Sequence, residues 1–303
     1  MNPYRIKSIK DYHHILGINP PEHPLISVVS LEKIQPYTSE EKVNVIFDFY
    51  MISLKKVAKG NVKYTYGQQQ YDFDDGILFY LSPGQLFSFQ AEKGFKSSGF
   101  MLLIHPDFLW GTPLAKNIKT YEFFNYAVNE ALFISEKEEN ILTIFIKNIE
   151  QEYHSNIDKF SEGIIISQIE SLLNYSDRFY QRQFLTRKIT NYHILNKLEE
   201  LLDDYFNNPN LISSGIPSVQ YVANQLNISP NYLSGILKTL TGQNTQQHIH
   251  NKLILIAKEK LSTTELTVSE IAFELGFEYS QSFSKLFKSK TNQSPLEFRQ
   301  SFN

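Results

Sequence analysis

Asn231, Ser234, Gln281, Ser282 and Lys285 are the side chains of this 303-residue sequence whose types and spacing best suit a recognition chemistry. Asn and Gln each present a donor and an acceptor side by side, the pattern that pairs with N6 and N7 of adenine. Lys donates to O6 and N7 of guanine, and Ser meets either kind of base edge. Lys238, Ser280 and Lys288 flank the set with groups suited to phosphate oxygens, although Ser280 could instead cap a helix. Other constellations fall short. The chain has no cysteine, which excludes disulfides, thiolate metal sites and thiol nucleophiles. His248 and His250 stand two apart on a helical stretch and point to different faces. His13, His14 and His23 lack a spacing that fixes coordination and read as ordinary exposed histidines. Asp72, Asp74 and Asp75 lie beside Gly76 and read as a turn, not a calcium loop. With no Gly-rich phosphate loop or nucleophile elbow either, the residues predict no metal, no cofactor and no catalysis.

The elements that must carry the recognition set are short paired helices. From Val219, the residues Val219, Val222, Ala223 and Leu226 make one apolar helical face. Asn227 suits the left-handed turn that closes a helix, and Ser229-Pro230 offers an N-cap followed by proline at the first helical position. A second helix then buries Leu233, Ile236 and Leu237, leaving Asn231, Tyr232 and Ser234 outward with Gly235 alongside. A small Ala, a tight turn and a capped second helix describe a helix-turn-helix.

The pattern repeats at an offset of 49–50 residues. Val268, Ile271, Ala272 and Leu275 repeat the face, Gly276 takes the place of Asn227, and Phe283, Leu286 and Phe287 repeat the buried anchors. Between the units, Thr245–Leu261 reads as one helix of about 25 Å at 1.5 Å per residue. With the half-widths of the flanking units, that separates the two second helices by about one DNA turn, roughly 34 Å. One chain could then enter two successive major grooves.

The N-terminal half reads differently. Leu25–Leu31, Val45–Val57, Val62–Tyr66, Ile77–Leu81, Leu86–Gln90 and Gly99–Ile104 are β-rich runs separated by Lys59-Gly60-Asn61, Asp74-Asp75-Gly76, Ser82-Pro83-Gly84 and Lys93-Gly94. Their spacing predicts a sandwich or small barrel. Residues 25–104 hold no histidine, so the barrel lacks a metal-binding His set. Phe47, Phe49, Tyr64, Tyr66, Phe79, Phe87 and Phe89 could line an effector pocket there, or simply form its core. Helices are predicted over Ser135–Tyr153 and Ser161–Tyr180. The stripe Ile164, Ile165, Gln168, Ile169, Leu172 and Leu173 on the second suits either a dimer contact or packing onto its own barrel.

Residues 217–302 resemble the C-terminal domain of AraC/XylS-type transcription regulators. The second unit carries the stronger signature: Ile271-Ala272-Phe273-Glu274-Leu275-Gly276-Phe277, then Ser282-Phe283-Ser284-Lys285-Leu286-Phe287-Lys288, then Ser294-Pro295-Leu296-Glu297-Phe298-Arg299. The β-rich half, with its Ser82-Pro83-Gly84-Gln85 turn, is similar in layout to the cupin-like sensor and dimerisation domains of that family. The departures are Gly235, where the family usually has Arg and a base or phosphate contact is lost, Leu253 and Ile256, where it has Arg and an acid, and Asn292 in place of a glycine.

The expected fold is thus α+β and multidomain. A cupin-like barrel with trailing helices occupies residues 1–180, a linker 181–192, and an all-α domain with two helix-turn-helix units 193–303. The linker carries Arg182, Arg187 and Lys188 and no acid, though it could equally extend a helix. The resemblance implies a sequence-specific DNA-binding transcription regulator, acting as monomer or homodimer. Its partners would be double-stranded DNA, a small-molecule effector in the barrel and RNA polymerase. The alternative is a non-enzymatic ligand-binding module whose helical domain mediates protein contacts. Apolar runs such as Phe100–Ile104 are only strand length and Met1–Lys10 is polar and mixed, so a cytoplasmic location is expected. The net charge of −3 argues against nucleic acid until it is divided. Residues 1–180 hold 17 Lys and Arg against 22 Asp and Glu, whereas 181–303 hold 12 against 10. The basic excess lies with the duplicated units.

Overall fold

A computed structural model describes residues 3–34, 43–57, 76–89, 97–126, 130–155, 158, 160–186, 188–208 and 215–301. The chain divides into two compact units, Met1–Thr186 and Arg187–Asn303. The runs around Val62–Tyr66, the Asp72–Asp75 turn and Tyr64 and Tyr66 lie outside the described residues.

In the first unit the β-rich reading becomes two sheets. β1 (Tyr4–Ile6) pairs in parallel with β3 (Val43–Phe47), which pairs antiparallel with β6 (Leu86–Phe89). The five-stranded sheet runs β2 (Ile26–Ser30), β7 (Ser97–Ile104), β4 (Tyr50–Val57), β5 (Gly76–Leu81) and β8 (Leu132–Ile134), every pair antiparallel. The single run expected over Val45–Val57 is therefore two strands in different sheets. The break falls at Asp48, whose N–H donates to the Ile6 carbonyl and whose carboxylate holds the Arg5 guanidinium at 2.9 Å. The 82–85 turn is held by Gly84 N–H on the Phe47 carbonyl, with Gly84 at φ 81°.

Both faces of the larger sheet are covered, so its central strands are apolar throughout instead of alternating. Met51, Ile77, Phe79, Leu81, Met101 and Leu103 face the smaller sheet and meet Val45, Phe47 and Phe87. Ile52, Leu78, Tyr80 and Leu102 are buried on the opposite face. There Tyr80 meets Tyr180 and Phe123, with ring centroids 6.3 Å and 4.3 Å away. Two short helices, α1 (Ile9–Ile15) and α2 (Leu114–Asn117), precede the long pair α3 (Glu136–Tyr153) and α4 (Ser161–Thr186). Ser135 and Glu138 form a capping box that starts α3. The α4 stripe is spent inside this unit: Ile165, Ile169, Leu172 and Leu173 are buried as α4 packs on α3 and β8, while Ile164 stays exposed.

Among the described residues the second unit holds only helices: α5 (Lys188–Phe206), α6 (Val219–Gln225), α7 (Pro230–Thr241), α8 (Thr245–Thr263), α9 (Val268–Glu274), α10 (Ser280–Thr291) and α11 (Pro295–Gln300). Residues 181–186 and 188–192 are helical, the end of α4 and the start of α5. One apolar core joins both helix-turn-helix units. Ala223, Leu233 and Leu237 of the first and Ile271, Ala272, Phe283 and Phe287 of the second close around Ile249, Leu253, Ala257 and Leu261 of α8. The apolar Leu253 that replaces a family charge is thus a fully buried core residue.

Candidate nucleic-acid interface

The two turns are built alike, down to their hydrogen bonds. Asn227 has φ 56° and Gly276 φ 84°, both left-handed. Ile228 N–H donates to the Ala223 carbonyl at 3.1 Å, and Phe277 N–H to the Ala272 carbonyl at 3.0 Å. Asn227 N–H and Gly276 N–H reach the Asn224 and Phe273 carbonyls at 3.1 and 3.0 Å. This pair of hydrogen bonds closes each first helix by satisfying two of its last carbonyls. Asn292 supplies a third left-handed residue, φ 60°, after α10, as expected for a tolerant Asn in a glycine slot.

On α10 the candidate set is presented outward. Gln281, Ser282, Lys285 and Lys288 are all exposed, while Phe283 and Phe287 are fully buried beneath them. Ser280 does not cap this helix: it is the first helical residue, and Tyr279 occupies the N-cap. On α7 the arrangement is less open than its sequence suggests. Lys238 is exposed and Asn231 half-buried, but Tyr232 is only 8% exposed and Gly235 is buried. Ser234 is half-buried, its hydroxyl 3.0 Å from that of Thr245 at the start of α8. Burial extends around most of α7, so the apolar spacing of Leu233, Ile236 and Leu237 understates how much of this helix is covered. Gly235 is itself buried and adds no side chain to the exposed face of α7.

Charge is distributed unevenly over the second unit. Lys252 pairs with Asp203 of α5, and Lys260 with Glu274 at 2.8 Å. Lys258 lies over the Phe298 ring, and Lys290 donates to the Asn251 side-chain carbonyl at 3.3 Å. Arg299 donates to the carbonyls of Leu261 and Leu266 at 3.2 and 2.6 Å, stitching α11 to the connection after α8. Sequence reasoning assigns Arg299 only a place in a motif; this carbonyl clamp has no signal there. Lys285, by contrast, has no ion-pair partner among the described residues. Glu270 and Glu297 are held below the usual carboxylate range by bonds to the backbone and hydroxyl of Thr267 and Ser294, with Lys288 adding to the second. Burial lowers the titration of His248 and His250, so both imidazoles favour the neutral form.

In the first unit Phe47, Phe49, Phe79 and Phe87 come together as core. Phe79 and Phe87 stack at 6.0 Å, and Phe47 lies 5.3 Å from Phe49 and 6.3 Å from Phe87. Phe89 belongs to β6, but its side chain is outside the described residues. A cleft of about 310 Å³ lies elsewhere, lined by His23, Phe108, Trp110, Tyr153 and Ile165 among others. Nor is His13 an ordinary exposed histidine: it is buried, with its ring nitrogens 2.6 Å from the Asn19 carbonyl and 3.0 Å from the Ser27 hydroxyl. Among the described residues no acid and histidine cluster could hold a metal, and no helix is long and apolar enough to cross a membrane.

Comparison with known proteins matches both units. Residues 222–301 fit the family model of a helix-turn-helix domain, and residues 46–145 that of an AraC-like ligand binding domain. Regulatory protein SoxS of Salmonella typhimurium (strain LT2) is 28% identical over 106 residues, 35% of this chain and 92% of that protein. SoxS of Escherichia coli (strain K12) is 30% identical over 82 residues, 27% of this chain and 77% of that protein. The uncharacterized HTH-type transcriptional regulator YfiF of Bacillus subtilis (strain 168) is 24% identical over 253 residues, 80% of this chain and 74% of its own length.

Proposed function

This chain belongs to the AraC family of transcription regulators, and we propose that it reads DNA by placing α7 and α10 in successive major grooves on one face of the duplex. The observation that carries this reading is the matched pair of left-handed turns at Asn227 and Gly276, joined through one core by α8. At 19 residues α8 is about 28 Å long, close to the roughly 34 Å repeat of the groove. Gln281, Ser282 and Lys285 carry most of the base reading, Asn231 adds to it from the first unit, and Lys238 and Lys288 bind phosphate. Ser280 sits at the mouth of α10, within reach of a phosphate. Ser234 contributes less, since its hydroxyl is engaged with Thr245.

The chain acts without catalysis, in the cytoplasm, and a small-molecule effector working through the N-terminal unit adjusts its grip on DNA. Two reading helices in one chain supply the two groove contacts for which single helix-turn-helix proteins dimerise. A monomer therefore suffices to bind, a homodimer would lengthen the operator, and bound protein presents its remaining surface to RNA polymerase. The domain limits that go with this reading are residues 1–180, 181–192 and 193–303. Selection of genomic fragments followed by gel shift at two salt concentrations tests it. One fragment class should be preferred, with affinity falling steeply as salt rises; indifference to both sequence and salt would sink it.

A further inference from the structure

Helices in the second unit begin, as a rule, with a polar cap. Ser218, Ser229, Asn244, Thr267 and Ser294 each accept a hydrogen bond from the N–H three residues on, at the starts of α6, α7, α8, α9 and α11. The helix that carries Gln281, Ser282 and Lys285 breaks the rule. Its N-cap is Tyr279, in extended conformation with φ −131° and ψ 124°, and no side chain caps it. The internal repeat makes the exception sharper. Ser229 and Tyr279 occupy the same slot, each four residues before the first buried anchor, Leu233 and Phe283.

Tyr279 is also no part of the apolar core of this unit. The residue is 67% exposed, and among the described residues no hydrogen bond or ring contact holds its side chain. A large aromatic group stands in water at a position where Ser, Thr, Asn or Asp would stabilise the helix. Local rules are broken in this way where function requires it. Recognition helices enter the major groove with their N-terminal residues toward the base edges, so the N-cap side chain leads, just ahead of Gln281. The apolar feature that the major groove offers there is the C5-methyl group of thymine.

We propose that Tyr279 is a specificity-determining residue of the second unit, its ring packing on the methyl group of a thymine beside the base pair read by Gln281. The proposal rests on the DNA-binding reading above. Its test uses the full chain and a duplex selected by that chain from a random-sequence library. Tyr279→Ser installs the cap found at Ser229, so the thermal midpoint should rise by a few degrees while affinity for the selected duplex falls about tenfold, a contact of the size seen for single base-directed side chains. Each thymine of the duplex is then replaced by uracil, which removes only the methyl group. At one position the wild type should lose about fourfold, the worth of one methyl group, and Tyr279→Ser nothing. Tyr279→Phe should bind as the wild type does. Identical uracil penalties in the wild type and Tyr279→Ser overturn the proposal. So does a loss in Tyr279→Phe equal to that in Tyr279→Ser, which would assign the contact to the hydroxyl. A wild type that selects no duplex brings down the DNA-binding reading as well, whereas selective binding with matching penalties removes only the role of Tyr279.

Discussion

Gly276 makes the turn of the second unit directly against Gly215. A Cβ built on Gly276 would lie 2.9 Å from the Gly215 carbonyl carbon, 3.0 Å from its Cα and 3.2 Å from the Ile216 nitrogen. The hydroxyl of Tyr205, at the end of α5, donates to the Gly215 carbonyl at 3.0 Å and adds a second hold on this lead-in segment. The chain entering the first helix-turn-helix is thereby packed on the turn of the second, by backbone that cannot swing aside. Gly242 provides the control, with φ 74° and nothing within 4 Å of an added methyl group. Gly242→Ala should cost only the left-handed penalty, about 1–2 kcal/mol. Gly276→Ala adds the collision and should cost on the order of 3 kcal/mol, within the range for strained backbone sites. Urea unfolding of the two variants compares them, and equal losses would mean that the Gly215 contact carries no weight.

Lys285 and Lys288 lie three residues apart on exposed turns of α10 and should fail in different ways. Lys285→Ala should relax the preference at one base pair, by a factor of about 5 to 150, and leave the other positions unchanged. Lys288→Ala should weaken all sequences about equally and lower the salt slope by about 0.9, the count for one phosphate. Binding to a panel of single-base variants of the selected duplex, at two salt concentrations, separates them. A uniform loss from Lys285→Ala would move that residue to the backbone set.

How far the sequence leads can be judged at these same residues. Both units were legible because their turns rest on local chemistry: a residue that tolerates positive φ, a polar cap, and anchors at helical spacing. The α10 face was legible for the same reason, since Phe283, Leu286 and Phe287 leave one side to solvent. The α7 face was not. Tyr232 and Gly235 carry no periodic signal that they are covered, because burial by other elements is a tertiary property. The Val45–Val57 run hid a sheet change for a similar reason, as the bend at Asp48 depends on Arg5 and Ile6, about forty residues away in sequence. Buried Gln183 is a further case: its amide accepts from Phe133 N–H and donates to the Ala131 carbonyl, serving the edge strand β8 from a helix. No pattern of hydrophobicity announces a side chain that stands in for a strand.

Arg299 tests the joint between α8 and α11. Its guanidinium satisfies two carbonyls that end α8 and begin the approach to α9. Removing it strands both, and bonds from charged donors are worth about 1.5–3 kcal/mol each when well made. Arg299 is half-buried and water can replace part of the loss, so Arg299→Ala should cost about 2 kcal/mol. Arg299→Lys, which has the charge without the fork, should recover less than half of this. Full recovery by Lys would show that charge alone matters at this joint.

Acid should weaken the chain in two steps, set by different groups. His248 accepts or donates at Nε2 with the Thr241 hydroxyl at 2.9 Å, and His250 Nε2 faces the Gln246 amide nitrogen at 2.8 Å. The amide can only donate, so Nε2 of His250 carries no proton. Burial lowers both histidines from the ordinary 6.5; Lys290 lowers His250 further, and Glu199 opposes the shift at His248. A group whose folded titration lies below its unfolded one binds protons preferentially in the unfolded chain. Stability should therefore be complete above about pH 7 and decline as pH falls through 6.5 toward the folded values. Glu270 and Glu297 act lower down. Their caps hold them below the ordinary 4.5, so the stability they confer is present above that value and is lost as pH falls through their folded range. Thermal midpoints recorded from pH 8 to pH 3 should show the upper decline shrink in the double variant His248→Gln, His250→Gln. The lower decline should persist there and shrink instead in Glu270→Gln, Glu297→Gln. An upper decline of undiminished size in the histidine variant would place its origin outside α8.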